Sequence, residues 1–236
     1  MLLKRLREEV LEANLELVRK GLVLYTFGNA SGVDREQGLV VIKPSGVGYD
    51  VLKPEHMVVT DLEGNIVEGV LKPSSDLDTH TLLYREFKEI GAVVHTHSEF
   101  ATSFAQAGME IPAFGTTHAD YFHGPVPVTA PLSDEAIEGR YVHETGLAIV
   151  ARFDGADGYL KIDPLAVPAC LVAGHAPFAW GKTPADAAHN AVVLEAVAKM
   201  AYRTLTLKAS AEGVSQALLD RHYLRKHGAS ATYGQG

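Results

Sequence analysis

Residues 22–60 read LVLYTFGNASGVDREQGLVVIKPSGVGYDVLKPEHMVVT, and the fold class turns on them. Three short β-rich runs lie in this stretch: Leu22 to Phe27, Leu39 to Lys43 and Met57 to Thr60. Between and after them stand pieces rich in turn formers, such as Gly28-Asn29-Ala30-Ser31-Gly32 and Glu63-Gly64-Asn65. Several strands in close succession, with no helix between them, predict antiparallel pairing rather than a strict βαβ series.

Upstream, residues 2–20 have the spacing of an amphipathic helix. Leu3, Leu6, Val10, Ala13 and Leu17 recur at steps of three or four, while Lys4, Arg7, Glu8 and Glu12 take other faces. Gly21 then stands where a C-cap glycine belongs. Downstream, a helix is expected from Ser74 or Ser75 through Phe87, a strand over Ala92 to Thr96 and a helix over Glu99 to Ala107. Residues 108–145 are loop-rich and show little periodicity. Ala148 to Phe153 and Ala169 to Ala173 read as further strands. Thr183 as N-cap, Pro184 at N1 and Asp186 at N3 punctuate the start of another helix. A last helix is expected over about Val214 to Lys226, stopping at Gly228. With no internal repeat or linker, one domain over residues 1–236 is the simplest organisation.

Bulk properties exclude several function classes. The chain has 236 residues and a net charge of −8, so no basic surface recommends nucleic acid. No run approaches the ~20 apolar residues of a membrane helix. The start, MLLKRLREEV, has early charges and no apolar core region, unlike a signal peptide. The single cysteine, Cys170, sits in the apolar run Ala-Cys-Leu-Val and reads as a small buried hydrophobe in a reducing compartment. A cytoplasmic location is expected by default.

The segment Val93-Val94-His95-Thr96-His97-Ser98 carries the strongest local signal. A strand puts residues two apart on one face, so both imidazoles can point at one ion. Eleven histidines produce some His-X-His pairs by chance, so a structural role stays open on this motif alone. His175, at the end of an apolar run and flanked by Gly174 and Ala176, is a third candidate, and Asp76 is a carboxylate to complete the sphere. Three nitrogens with an oxygen or an open position is the layout of a catalytic site for zinc, manganese or cobalt.

An acidic chain that takes a phosphorylated ligand must gather donors locally. Lys43-Pro44-Ser45-Gly46 offers a cation, a hydroxyl and a glycine, and Pro73-Ser74-Ser75-Asp76 offers two hydroxyls at a helix start. Gly28-Asn29 is a third such turn. Ser75 as a helix cap and Lys43 as a solvated strand end are the plainer alternatives. In Gly115-Thr116-Thr117-His118-Ala119-Asp120-Tyr121-Phe122, Asp120 lies between apolar Ala119 and aromatic Tyr121, which predicts a carboxyl raised by desolvation and suited to acid–base work. A turn-forming aspartate is the alternative there. Tyr233, past the last helix, becomes functional only if a neighbouring subunit anchors it.

Assembled, the segments TFGNASGVDREQGLVVIKPSGV, KPSSD, VVHTHS, IPAFGTTHADYF, PFAWGK and HYLRKHG make the chain resemble the class II aldolase family, in its pentulose-phosphate epimerase branch. The resemblance implies an α/β fold, three-layer α/β/α, with a central, mainly antiparallel sheet. It implies a divalent metal, zinc first, on His95, His97 and His175 with Asp76 in or beside the sphere. It assigns substrate and phosphate contacts to Gly28, Asn29, Ser45, Gly46, Ser74 and Ser75, and proton transfer to Asp120 and Tyr233. The implied assembly is a homotetramer with active sites between subunits, the tyrosine coming from the adjacent one. The implied reaction interconverts L-ribulose 5-phosphate and D-xylulose 5-phosphate by retro-aldol cleavage and re-addition, a step shared by L-arabinose and L-ascorbate catabolism. Phe27, Ala173 and Ala176 depart from the family pattern, which expects tryptophan, a polar residue or histidine, and glycine respectively. The neighbouring reading is an aldolase for L-fuculose or L-rhamnulose 1-phosphate, where Ser-Ser-Glu replaces Ser-Ser-Asp. A non-catalytic scaffold on the same fold, as in the adducin head, has no need of the metal triad.

Overall fold

The computed structural model describes residues 1–228 and 231, with the backbone alone at Asp157. Among these, seven strands form one sheet: Asn29–Asp34 (β1), Leu39–Ile42 (β2), Val58–Asp61 (β3), Ile66–Glu68 (β4), Ala92–His95 (β5), Ala169–Leu171 (β6) and Pro177–Gly181 (β7). The order is β4-β3-β2-β1-β5-β7-β6, and every neighbouring pair is antiparallel. The helices are Lys4–Arg19 (α1), Leu77–Glu86 (α2), Glu99–Gln106 (α3), Thr116–Ala119 (α4), Asp134–Glu138 (α5), Tyr141–Asp154 (α6), Pro184–Leu207 (α7) and Gln216–His227 (α8).

Alternation along the central strands sorts the core into two layers. Ala92, Val94, Ala169, Leu171 and Ala179 face the α1, α3 and α7 side. Val93, Cys170, Phe178 and Trp180 face α2 and α6. The result is the expected three-layer α/β/α arrangement around an antiparallel sheet. No helix among the described residues is long and apolar enough to cross a membrane.

Three local expectations are corrected. Leu22 to Phe27 is not a strand: the Leu22 N–H bonds the Leu17 carbonyl, the Phe27 N–H bonds the Leu24 carbonyl, and Leu24, Tyr25 and Phe27 are exposed. The strand is instead Gly28's continuation, β1, at the middle of the sheet. Its small residues signal close approach of helices rather than a turn, since a Cβ on Gly32 would meet Leu6 Cδ1 at 2.8 Å, Val10 Cγ2 at 3.1 Å and Pro184 Cγ at 3.2 Å. Ala148 to Phe153 belongs to α6, whose buried Thr145, Ile149 and Phe153 recur at helical spacing against α2. Pro177–Gly181, for which the sequence predicts no element, is the fully buried β7.

Other punctuation holds. Thr183 Oγ1 accepts from the Asp186 N–H at 3.1 Å to open α7, and Gly21 closes α1 with φ +71°.

Candidate metal centre and substrate cleft

Sheet register brings the first ligand candidates together. Asn29 on β1 pairs with His95 on β5, which pairs with Phe178 on β7, so the three side chains form one row across the sheet. The His95 ring stacks on Phe178 with centroids 4.2 Å apart, and its Nδ1 donates to the Pro177 carbonyl at 3.0 Å. That bond fixes the tautomer and leaves Nε2 with its lone pair outward. His97 lies two residues past the end of β5, and its Nε2 is 3.2 Å from His95 Nε2. His175 sits in the β6–β7 turn, closed by the Val172 N–H on the Ala176 carbonyl. Gly174 makes that turn possible with φ +70° and anchors it to the Ala105 carbonyl.

The three histidines each offer a nitrogen, and these nitrogens all lie within 4.8 Å of one another. Two ligand nitrogens at ~2.0–2.1 Å from a tetrahedral zinc stand about 3.3 Å apart, close to the 3.2 Å between His95 and His97. Burial pushes His95 down to about 3 and holds His97 and His175 below the ordinary histidine value. All three are therefore neutral near pH 7, the form that binds a cation. The residues present fit a divalent metal.

Asp76 caps the start of α2 by position, but its side chain makes no capping bond. Its Oδ2 accepts from Asn29 Nδ2 at 2.7 Å, and the same amide reaches Ser74 Oγ at 3.0 Å. Burial works to raise this carboxyl, yet His95, His80 and the Asn29 hydrogen bond outweigh it and hold it below the usual range. Asp76 thus lines the cleft as a carboxylate beside the nitrogen cluster rather than within its 4.8 Å span.

The two serine-bearing loops are stitched to each other. Pro44 and Pro73 form an antiparallel bridge, the Ser45 N–H bonds the Lys72 carbonyl and the Ser74 N–H bonds the Lys43 carbonyl. The hydroxyls of Ser45 and Ser75 make no hydrogen bond among the described residues and border the cleft. Lys43 is buried, donates to the Pro44 carbonyl at 3.2 Å and lies 4.8 Å over the Tyr49 ring. Burial pulls its ammonium down to about 8, so it still carries its charge near neutrality. Tyr49 in turn donates to the Phe27 and Gly28 carbonyls at 3.1 and 2.9 Å. One cleft of about 460 Å³ gathers Gly28, Asn29, Lys43, Ser45, Gly46, Ser74, Ser75, Asp76, His95, His97 and His175.

Residues 8–202 match the family described as Class II Aldolase and Adducin N-terminal domain. The chain belongs to the class II aldolase family. It is 49% identical over 233 residues to L-ribulose-5-phosphate 4-epimerase UlaF of Salmonella paratyphi C (strain RKS4594), covering 99% of this chain and 100% of that protein. Among solved structures it is similar to an L-fuculose 1-phosphate aldolase, with TM-score 0.75, 24% identity and coverage of 94% of this chain and 96% of that one. It is also similar to the L-fuculose-1-phosphate aldolase of Thermus thermophilus, with TM-score 0.67, 24% identity and coverage of 87% and 98%. These two likenesses bear on the fold.

In this class II aldolase family member, Asp120 departs from its expected state. It does not line the cleft. Its carboxylate takes Arg225 through Nε and Nη2 at 3.1 and 2.9 Å and His222 Nδ1 at 3.0 Å, with Lys226 Nζ at 3.8 Å. Burial pushes Asp120 up, but those partners overturn it and hold the carboxyl low, so the raised value expected from its apolar neighbours is corrected. The cations lie about a hundred residues downstream on α8, out of reach of a local reading. Tyr233 lies outside the described residues. Sequence reasoning gives no role to Tyr141, whose ring is 6.0 Å from His175, because residues 108–145 show no periodicity to place it.

Proposed function

We propose that this chain is an L-ribulose-5-phosphate 4-epimerase, interconverting L-ribulose 5-phosphate and D-xylulose 5-phosphate. The observation that carries the reading is the 49% identity to a protein of that name across essentially the full length of both chains. The cleft supports it chemically. A divalent ion, zinc in preference to manganese or cobalt, would be held by His95, His97 and His175 with Asp76 beside it, and would supply Lewis acidity toward the ketose oxygens.

Lys43, Ser45, Gly46, Ser74 and Ser75 then bind the phosphate end, with Gly28 allowing close approach of the backbone. Asn29 steers Asp76 through its amide nitrogen, and its buried Oδ1, unpartnered among the described residues, accepts a substrate hydroxyl. Loss of the C4 hydroxyl proton lets the C3–C4 bond break, its electron pair passing to the three-carbon fragment as an enediolate. The other fragment, glycolaldehyde phosphate, stays tethered by its phosphate while its carbonyl turns. Re-addition on the opposite face inverts C4. Two acid–base groups are required, one per face, and Asp120 and Tyr233 take these roles. Asp120 stands outside the cleft of its own chain, and shared active sites in a homotetramer would bring it to the cleft of a neighbouring copy. Asp120 enters as the ionised base.

The test is a coupled assay on purified, metal-loaded protein. D-xylulose 5-phosphate should form from L-ribulose 5-phosphate. Release of dihydroxyacetone phosphate from L-fuculose 1-phosphate, with no turnover of L-ribulose 5-phosphate, would replace the reading with an aldolase.

A further inference from the structure

Behind the cleft lies a buried polar chain that the proposed reaction leaves unused. His80, Ser31 and Tyr84 are all fully buried. Ser31 Oγ stands 2.7 Å from His80 Nδ1 and 2.6 Å from the Tyr84 hydroxyl. Tyr84 and His80 are one helical turn apart on α2, and Asp76 is one turn further toward the start, its carbonyl accepting the His80 N–H at 3.1 Å. The three therefore lie on one face of the helix.

Either atom of each pair can donate, and one direction satisfies both hydroxyls: Tyr84 donating to Ser31 Oγ and Ser31 donating to His80 Nδ1. In that arrangement His80 Nδ1 accepts, and the proton of the neutral ring sits on Nε2. That Nε2 is buried and makes no hydrogen bond to the described residues. The ring meets the edge of Phe178, the residue on which His95 stacks, with centroids 6.0 Å apart, and Asp76 is the acidic side chain one turn back on the same helix face.

We propose that His80 is a positioning residue for Asp76, locked by Tyr84 and Ser31 as the Nε2–H tautomer so that its N–H dipole faces the Asp76 carboxylate from beneath the cleft. Asn29 then holds Asp76 from the sheet side and His80 from the helix side. The catalytic consequence rests on the epimerase reading; the tautomer and the coupling to Asp76 do not. Outer partners of metal-site groups typically change metal affinity or activity by roughly 10–100-fold when removed.

The experiment is a double-mutant cycle on the full chain. His80→Phe keeps the ring volume and removes both nitrogens, whereas His80→Gln keeps a donor near the Nε2 position. Expected for His80→Phe is a loss of at least tenfold in kcat on L-ribulose 5-phosphate with KM within twofold, and a matching loss in Zn²⁺ affinity by titration of chelated protein. His80→Gln should recover most of both. In the Asp76→Asn background, His80→Phe should change either quantity by less than twofold. If His80→Phe fails to fold, Ser31→Ala, which cuts the chain without touching His80, takes its place in the cycle and should show the same pattern. Imidazole ¹⁵N shifts of the parent should report protonated Nε2. A protonated Nδ1, parental Zn²⁺ affinity in folded His80→Phe, or losses that multiply with Asp76→Asn would overturn the proposal. Failure of the parent to epimerise L-ribulose 5-phosphate would sink the functional reading alone, because the shifts and the Zn²⁺ cycle stand without substrate.

Discussion

Gly28→Ala is the sharpest single perturbation of the cleft, and Gly46→Ala is its internal control. Both glycines line the cleft in the left-handed region, with φ +76° and +69°. Forcing an alanine into that conformation costs roughly 1–2 kcal/mol in either place. The surroundings differ. A Cβ at Gly46 meets nothing within 4 Å, whereas one at Gly28 would stand 2.8 Å from the His95 carbonyl oxygen and 2.9 Å from Val23 Cγ1. The first of these is backbone of a central strand and cannot swing away, so overpacking adds roughly 1–3 kcal/mol. The totals are about 3.5 kcal/mol for Gly28→Ala and about 1.5 kcal/mol for Gly46→Ala. At roughly 3 °C per kcal/mol for a chain of this size, the melting temperature should fall by about 10 °C and about 4 °C. Thermal melts of chelated protein measure both. Because the clash falls on the His95 backbone, Gly28→Ala should also weaken Zn²⁺ binding, while Gly46→Ala should leave it near the parent. Equal melting shifts for the two variants, or parental Zn²⁺ affinity in Gly28→Ala, would refute the steric argument.

Three more outcomes are expected. His97→Asn should lower metal content and turnover together, since it removes one of three clustered nitrogens; metal analysis alongside the epimerase assay checks it, and parental occupancy would remove His97 from the sphere. Asp120→Asn should retain metal, lose turnover and melt a few degrees lower, because Asp120 is also the anchor for Arg225 and His222 on α8; unchanged melting would mean that the clamp contributes nothing. Burial pushes His80 and His118 down to about 4 and His95 to about 3, so the unfolded chain binds protons that the folded chain refuses. Stability of chelated protein should therefore rise with pH from about 4 to about 6.5 and level off for these groups above that range; denaturant midpoints that are flat between pH 5 and 6.5 would contradict it.

Much of the site is legible in the sequence because its residues come in short runs whose spacing is itself the geometry. His95 closes β5 and His97 follows two residues on with its nitrogen in the same cluster, and Ser74-Ser75-Asp76 sits at a helix start. β1 is not legible, because Gly28-Asn29-Ala30-Ser31-Gly32 has the composition of a turn. Its small residues answer to α1 and α7 pressing on the sheet, a demand that arises only after the chain has folded. The helix at Ala148–Phe153 reads as a strand for a related reason: a short apolar run fits either period until a partner face, here α2, selects one. Asp120 misleads because adjacent apolar residues argue for desolvation, while the charges that decide its state come from α8.

The sequence by itself determined the antiparallel character of the sheet and the donor types, which follow from strand spacing and side-chain chemistry and are local, while its motifs carried the resemblance to the family. Only the tertiary structure decided that His175 reaches His95 and His97 across the β6–β7 turn, that the Pro44 and Pro73 loops pair, and that Asn29 holds Asp76 beside the nitrogens. Those relations join residues tens of positions apart, and register, burial and helix packing set their distances.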